Sequence, residues 1–256
     1  EVIFLAAAKV GGIAANMTFP RDFLYDNIMI SFNIINSAKL IKVDKLVYLG
    51  SSCIYSKNIK QPFVEGSILK GELESSNQWY ALAKIAGIKL CEAFKIQDNC
   101  NFISVTPTNL YGPMDKFDDV NGHVPAALLN RFHLAKKNNL PNVTVWGSGT
   151  PLREFLYVDD LADACLFLAE NYNSSQPINV GSGHEISIKN FANLVKEIVG
   201  YKGKIIFDKS KPDGMKRKLL DSKKIKQMGW KPKISLKKGL KLFYKWYVNN
   251  QKILRK

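Results

Sequence analysis

The chain has 256 residues, 46% hydrophobic and 23% charged, which suits a globular protein with a sizeable core, as one domain or two closely associated ones. No apolar run approaches the ~18 residues of a membrane span. No signal peptide is visible, and Cys53, Cys91, Cys100 and Cys165 have neither metal-ligand spacing nor the density of a disulfide framework, so a cytoplasmic, reducing setting without metal or membrane is expected. The net charge of +15 is concentrated in residues 202–256, where 19 Lys and Arg face only Asp208, Asp213 and Asp221. Those lysines sit between periodic apolar residues rather than among stacking aromatics, so they read as a solvated surface and not as a nucleic-acid site.

Val2-Ile3-Phe4-Leu5-Ala6 reads as a buried strand, Phe23 to about Ile41 as a helix, and Lys45 to Leu49 as the next buried strand. Residues 56–77 are polar and irregular and read as a loop over a site. A helix from Trp79 to about Gln97 and a strand from Phe102 to Val105 follow. Strands with continuous apolar runs, alternating with helices, indicate a parallel, doubly wound sheet. After Pro113 the texture changes. Residues 114–122 read as a loop and His123–Lys137 as a helix. Val143–Trp146 and Phe155–Tyr157 read as strands, and a helix runs from about Val158 through Glu170. Ile178–Gly181 reads as a strand and turn, Ser187 caps a helix through Val199, Ile205–Phe207 is a strand, and Ser235 caps a last helix striped by Leu236, Leu240, Phe243 and Tyr247. This second region reads as a smaller, mixed α/β unit.

The chemistry-bearing segments are Ser51-Ser52-Cys53 at the end of the second strand and Tyr80-x-x-x-Lys84 in the helix that follows. Tyr and Lys four apart share one helix face. A free phenol titrates near ~10, and a nearby ammonium is expected to lower that value by favouring the phenolate. A serine at a strand end can hold a substrate oxygen beside the phenol. This suits carbonyl reduction or alcohol oxidation, with the hydride carried by a cofactor.

With the stretch Val105-Thr106-Pro107-Thr108-Asn109-Leu110-Tyr111-Gly112-Pro113 downstream, these segments resemble the extended short-chain dehydrogenase/reductase family. Four further stretches are similar to its branch acting on GDP-4-keto-6-deoxy-D-mannose: Ala6-Ala7-Ala8-Lys9-Val10-Gly11-Gly12, Gly50 to Tyr55, Trp146-Gly147-Ser148-Gly149-Thr150 and Ser210-Lys211-Pro212-Asp213-Gly214. The resemblance runs from residue 1 to about Gln251. It implies a Rossmann-type sheet, NADPH as cofactor, a GDP-sugar as substrate, and a homodimer formed by the helices carrying Ile28, Ile30, Ile35, Leu82, Ile85 and Leu90. It implies catalytic roles for Ser51, Cys53, Tyr80, Lys84 and His123, with Cys53 and His123 as the acid/base pair that inverts carbons 3 and 5 beside the 4-keto group. Cofactor contacts are expected from Leu49, Gly50, Ser51, Ser52, Lys84, Pro107, Thr108, Asn109, Leu110 and His123. Substrate contacts are expected from Arg131, Trp146, Arg153 and Asp213. From the residues alone, Cys53 could equally be a small buried thiol, His123 a surface residue, the arginines surface ion pairs and Trp146 a core residue. His133 and His184 read as structural.

The expected division is residues 1–112, with 154–181, as a NADP-binding Rossmann part, and 113–153 with 182–256 as the substrate-binding part. The family's glycine-rich first turn, which binds the pyrophosphate at a helix N-terminus, is not among these residues. Gly11-Gly12 resembles a later strand-end loop. The sheet is therefore expected to lack its first βα units, and the chain alone to bind NADPH weakly. A related nucleotide-sugar reductase or epimerase, or an inactive truncated homologue, is the alternative reading.

Overall fold

The computed structural model describes residues 1–118 and 122–254; of the loop expected over 114–122, residues 119–121 lie outside the described residues. In chain order the elements are β1 (Val2–Leu5), α1 (Ile13–Thr18), α2 (Pro20–Leu40), β2 (Lys45–Leu49), α3 (Gln78–Asp98), β3 (Phe102–Pro107), β4 (Asn109–Tyr111), α4 (Val124–Lys137), β5 (Asn142–Trp146), β6 (Leu152–Tyr157), α5 (Val158–Asn171), β7 (Ile178–Val180), β8 (Glu185–Ser187), α6 (Ile188–Val199), β9 (Lys204–Asp208), β10 (Arg217–Lys218), α7 (Lys223–Gln227) and α8 (Leu236–Asn249).

β1, β2, β3 and β7 form one parallel sheet in that order. β2, β3 and β7 bury both faces, as their unbroken apolar runs require, whereas β1, expected as a buried strand, lies at the edge of the sheet with Val2 and Phe4 exposed. Leu46 and Tyr48 of β2 point into one cluster with Ile35 of α2 and Ile85 and Ile88 of α3. Val47 points the other way, into a cluster with Leu161, Ala164 and Leu168 of α5 and Ile225 of α7. Helices on both faces of a parallel sheet are the doubly wound arrangement. Burial also corrects one expectation: Ile35 and Ile85, counted among the dimer-face residues, are buried in the protomer's own core. They lie on the stripe facing the sheet. The outward faces of α2 and α3 show Tyr25, Met29, Phe32, Trp79 and Leu82 instead.

A second sheet holds β10, β6 and β4, with β8 pairing antiparallel to β6, and β5 pairs with β9. These strands share a core with α4, α6 and α8, centred on Phe132, Phe155, Phe191 and Phe243. Ser187 and Ser235 cap α6 and α8, their hydroxyls accepting the backbone N–H groups of Asn190 and Lys238. Of the α8 stripe, Leu240, Phe243 and Tyr247 are buried, and Leu236 packs on the rim of the core. Four elements carry too little periodicity to be read in the sequence: α1 and α7, of six and five residues, and β8 and β10, of three and two.

Three lysines of this basic chain are structural. Lys45 in β2 is buried, and its ammonium donates to the carbonyls of Ala169 and Tyr172 at the C-terminal end of α5, each at 2.6 Å. A cation there meets the negative end of the helix dipole. Lys136 donates to Val199 O at 2.8 Å at the end of α6, and Lys224 to the Tyr172 hydroxyl at 2.6 Å.

Candidate active site

The site grows from the carboxyl end of β2, where an open parallel sheet places its ligands. Gly50 continues the strand, its N–H donating to Val105 O at 2.8 Å. Ser51 keeps an extended backbone, and a single 3-10 turn at Ser52–Ile54 then buries Ser52 and Cys53. The Ser51 hydroxyl accepts the Cys53 N–H at 3.4 Å, which fixes the turn. Lys84 of α3 is 2% exposed. Its ammonium donates to Leu49 O at 2.8 Å and lies 5.8 Å from the Tyr80 ring centre, with Tyr48 on another side at 5.0 Å. Burial brings Lys84 down to about 8, and the neighbouring Cys53 opposes that shift. Ser51, Cys53, Tyr80 and Lys84 thus form one group.

The phenol departs from expectation. Burial pushes the Tyr80 hydroxyl above its usual value, and Cys53 and Tyr48 add to the rise. The expected lowering by Lys84 is overturned, because removing the phenol from water disfavours its anion more than the ammonium favours it. Tyr80 is therefore a proton donor at neutral pH. Its ring is held edge-on by Phe23 of α2, with centroids 6.3 Å apart.

The strand-end segment across the sheet is equally fixed. Pro107 and Thr108 are buried, Thr108 N donates to Val180 O, and Asn109 Nδ2 donates to Glu154 O at 2.8 Å. Leu110 is half-buried. The Thr106 hydroxyl, buried one residue before this segment, has no hydrogen-bond partner among the described residues.

His123 stands at the N-cap of α4, exposed, with its Nδ1 3.6 Å from Asp115 Oδ1. Among the described residues no hydrogen bond or ion pair joins it to the Ser51–Lys84 group. His133 packs among aromatics, 3.2 Å from the Tyr244 hydroxyl.

The four residues expected on the substrate side come from α4 (Arg131), β5 (Trp146), β6 (Arg153) and the loop before β10 (Asp213). Trp146 is 42% exposed, with Arg131 over its ring at 5.9 Å and Lys211 at 5.5 Å. Arg131 also donates to Thr144 O at 2.6 Å. Arg153 is half-buried, donates to Leu152 O at 2.8 Å and Asp213 O at 3.3 Å, and burial lowers its pKa. The Asp213 carboxylate accepts the Ser148 N–H and hydroxyl, both at 2.7 Å. Gly147 makes that possible: its φ is +83°, and a Cβ there would collide with Asp213 Oδ1. Asp213 thereby pins the 210–214 loop to the Gly147–Gly149 turn, and Arg153 presents its guanidinium beside both.

One buried charge and one half-buried lysine went unread in the sequence. Glu154 is fully buried on β6; its carboxylate accepts Gly183 N at 2.6 Å and Leu220 N at 3.1 Å, while burial raises its pKa against those bonds. Lys218 of β10 lies beside Arg153 in the β6 register. Glu154 follows Arg153 directly, and Lys218 falls within a run read as solvated lysine, so neither gave a signal of its own.

These residues fit a nicotinamide cofactor at its nicotinamide end. The buried Lys84 ammonium has one carbonyl partner and protons to spare for ribose hydroxyls. The Pro107–Leu110 segment is set rigidly beside it, with the unpartnered Thr106 hydroxyl next to it. Among the described residues no cluster of His, Cys, Asp or Glu could hold a metal ion, and no helix is long and apolar enough to cross a membrane.

A parallel sheet covered on both faces, with a Ser/Tyr/Lys group at its strand ends, defines a nucleotide-dependent oxidoreductase or epimerase. The chain belongs to the NAD dependent epimerase/dehydratase family, whose pattern matches residues 1–181. A probable GDP-L-fucose synthase 1 of Oryza sativa subsp. japonica is 58% identical over 249 residues, covering 97% of this chain and 76% of the relative. Among solved structures, a GDP-6-OMe-4-keto-L-xylo-heptose reductase from C. jejuni superimposes with a TM-score of 0.92 at 37% identity, covering 97% of this chain and 82% of the other. A GDP-L-fucose synthetase from Naegleria fowleri bound to NADP gives a TM-score of 0.90 at 29% identity, covering 100% and 78%.

Proposed function

We propose that this protein converts GDP-4-keto-6-deoxy-D-mannose to GDP-L-fucose with NADPH, by epimerisation at carbons 3 and 5 and reduction at carbon 4. The observation that carries the reading is the single group of Ser51, Cys53, Tyr80 and Lys84 at the carboxyl end of β2. The similarity to GDP-sugar enzymes supports it.

A 4-keto group acidifies the protons on carbons 3 and 5. Cys53, reacting as its thiolate, takes such a proton and becomes the thiol, the C–H electron pair moves onto the carbonyl oxygen as an enolate, and Ser51 and Tyr80 donate hydrogen bonds to that oxygen. His123 returns a proton to the opposite face of the carbon, which inverts it. When bound, NADPH supplies the hydride for carbon 4. Tyr80 gives its proton to the oxygen of that carbon, and a phenol kept protonated by burial is suited to this. Lys84 fixes the ribose and stabilises the phenolate that remains. We assign Leu49, Gly50, Ser52, Pro107, Thr108, Asn109 and Leu110 to the cofactor wall. Arg153 and Arg131 are assigned to the diphosphate, for which a guanidinium fork is suited, and Trp146 to the base or sugar face. Asp213 acts by holding the loop beside Arg153. Residues 1–112 with 154–181 form the cofactor side, and 113–153 with 182–256 the substrate side. The four free cysteines agree with a cytoplasmic setting.

Turnover of GDP-, UDP- and dTDP-4-keto sugars, each with NADPH, tests the reading. Product from the GDP sugar supports it, and turnover confined to a dTDP sugar would sink it. The 0.92 TM-score to a GDP-heptose reductase makes a 4-reductase of another GDP-keto sugar the second reading. Reduction without inversion at carbons 3 and 5 is its signature.

The protein is expected to be a homodimer, with α2 and α3 of each copy forming a four-helix contact. Tyr25, Met29, Phe32, Trp79 and Leu82 show apolar surface on these two neighbouring helices. Light scattering at micromolar concentration should give twice the chain mass, and Phe32→Glu with Leu82→Glu should halve it. A monomeric wild-type protein refutes the assignment.

A further inference from the structure

We propose that Tyr48 is a positioning residue: it offers its ring face to the buried Lys84 ammonium and keeps that group charged and in place. The inference deepens the proposed function, in which Lys84 fixes the ribose and stabilises the Tyr80 phenolate, and it rests on that reading.

The need arises from burial. Lys84 is 2% exposed, and a desolvated ammonium requires compensation. One of its three N–H donors goes to Leu49 O at 2.8 Å. Among the described residues no carboxylate bonds to it or pairs with it. The ionisable groups around it are the Cys53 thiol from the turn after β2, the Tyr80 phenol from its own helix and the Tyr48 phenol from β2. Burial pushes all three above their ordinary values, so at neutral pH none supplies a standing negative charge. What remains is the negative face of an aromatic ring. Lys84 Nζ lies over the Tyr48 ring, 5.0 Å from its centre, against 5.8 Å for Tyr80. A cation within ~6 Å of a ring centre is attracted to its face, and more strongly where water is excluded. Tyr48 is the nearer ring and is wholly buried.

Three neighbours build this contact. The Ser31 hydroxyl of α2 lies 3.2 Å from the Tyr48 hydroxyl, and both residues are buried, so the ring is tethered at its far end. Gly87 of α3, three residues after Lys84, leaves room for the ring: a Cβ there would collide with Tyr48 Oη. Glycine in a helix interior is unfavourable by itself, and here it lets the ring lie directly against α3. Leu49, the next residue of β2, supplies the carbonyl that Lys84 bonds. Consecutive residues of one strand thus give the ammonium a ring face and a carbonyl, and the strand fixes both together.

A charged Lys84 has an ammonium to hold the ribose hydroxyls and to stabilise the phenolate left when Tyr80 gives its proton. The neutral amine has one donor fewer and no charge. Burial already brings Lys84 down to about 8. Loss of the ring face favours the amine further, so the midpoint falls toward neutrality.

The test reads Lys84 itself. In protein whose lysines carry carbon-13 at Cε, the Lys84 signal is identified by its loss in Lys84→Met and followed by NMR against pH. Tyr48→Phe keeps the ring face and should leave the midpoint nearly in place. Phenylalanines bearing one, two and three ring fluorines at position 48 keep the shape and drain the face of electron density. The midpoint should fall with each fluorine, by about one unit in all, a tenfold change in the ratio of ammonium to amine. Tyr48→Leu should lower it at least as far; should that variant fail to fold by circular dichroism, the fluorinated series decides alone. The alkaline limb of kcat for NADPH consumption should move with the midpoint while KM for the GDP-sugar holds. A midpoint that stays level across the fluorinated series overturns the proposal, since only the charge distribution of the ring changes there. Absence of turnover with GDP-keto sugars would refute the proposed function instead, and leaves the Lys84 titration readable.

Discussion

Cys53→Ser should stop the exchange of substrate carbon-bound protons with solvent, lowering it by about 10²–10⁴-fold, the usual contribution of a positioned acid/base group. The substitution changes one atom of a residue 4% exposed, in a turn fixed by the Ser51–Cys53 bond, so the fold should survive. The serine hydroxyl occupies the same place but is a far weaker acid, and Lys218 and Lys84 cannot ionise it near neutral pH. Deuterium incorporation at carbons 3 and 5, followed in D₂O without NADPH, isolates this step from reduction. Tyr80→Phe should give the reverse pattern. Exchange should continue at a reduced rate, because Ser51 still donates to the enolate oxygen, while consumption of NADPH falls by a similar 10²–10⁴-fold for lack of the proton donor. Exchange and product stereochemistry left intact in Cys53→Ser would show that the base is another residue.

The separation of these two steps depends on burial acting differently on neighbouring groups. Tyr80 is kept protonated, and Lys84 is brought to about 8, near enough to neutrality to respond to what binds beside it. Cys53 is raised by burial but faces two lysines. The same buried group therefore holds a proton donor for oxygen on α3 and a candidate base for carbon at the end of β2, brought together by the fold from separate parts of the chain.

Most of the cofactor side was legible in the sequence, because it is made of long elements with strong patterns. Lys45–Leu49 matched the expected strand, and α2 and α3 match expected helices within about three residues. Tyr80 and Lys84 were legible as a pair because helical spacing alone puts them on one face. Their titration was not legible: it depends on burial, which arises from Phe23, Tyr48 and the Cys53 turn closing over them from distant parts of the chain. The substrate side was harder to read. Its short strands β8 and β10 exist only because β6 offers them a partner, and two residues carry no periodicity. Asp213 was recognisable by its surroundings, yet its use as a clasp on Ser148 depends on the positive φ of Gly147. Lys218 was hidden by composition, one lysine among 19 basic residues in the last stretch, and only its strand pairing beside Arg153 sets it apart.

Glu154→Leu should be the most destabilising single substitution near the site, at about 2–6 kcal/mol, since each buried N–H left without a partner costs roughly 1–3 kcal/mol. The Glu154 carboxylate is fully buried and serves two such donors, Gly183 N at 2.6 Å and Leu220 N at 3.1 Å, with the Ser182 hydroxyl at 3.5 Å. Leucine has the volume but accepts nothing. Gly181 packs so closely that a Cβ there would collide with Glu154 Oε1, so the loop cannot relax inward. Glu154→Gln keeps one acceptor oxygen and should lose less. The charge has its own signature. Burial raises the Glu154 pKa, so the folded protein holds this proton more tightly than the unfolded chain does. Stability should then fall as pH rises from the ordinary value of 4.5 through the folded value, and the Gln variant should flatten that fall. Urea denaturation of wild type, Glu154→Leu and Glu154→Gln between pH 4.5 and 8 reads both effects. A loss below about 1 kcal/mol in Glu154→Leu would mean that the 182–183 turn and the Leu220 segment find other acceptors, and that β10 keeps its place without this carboxylate.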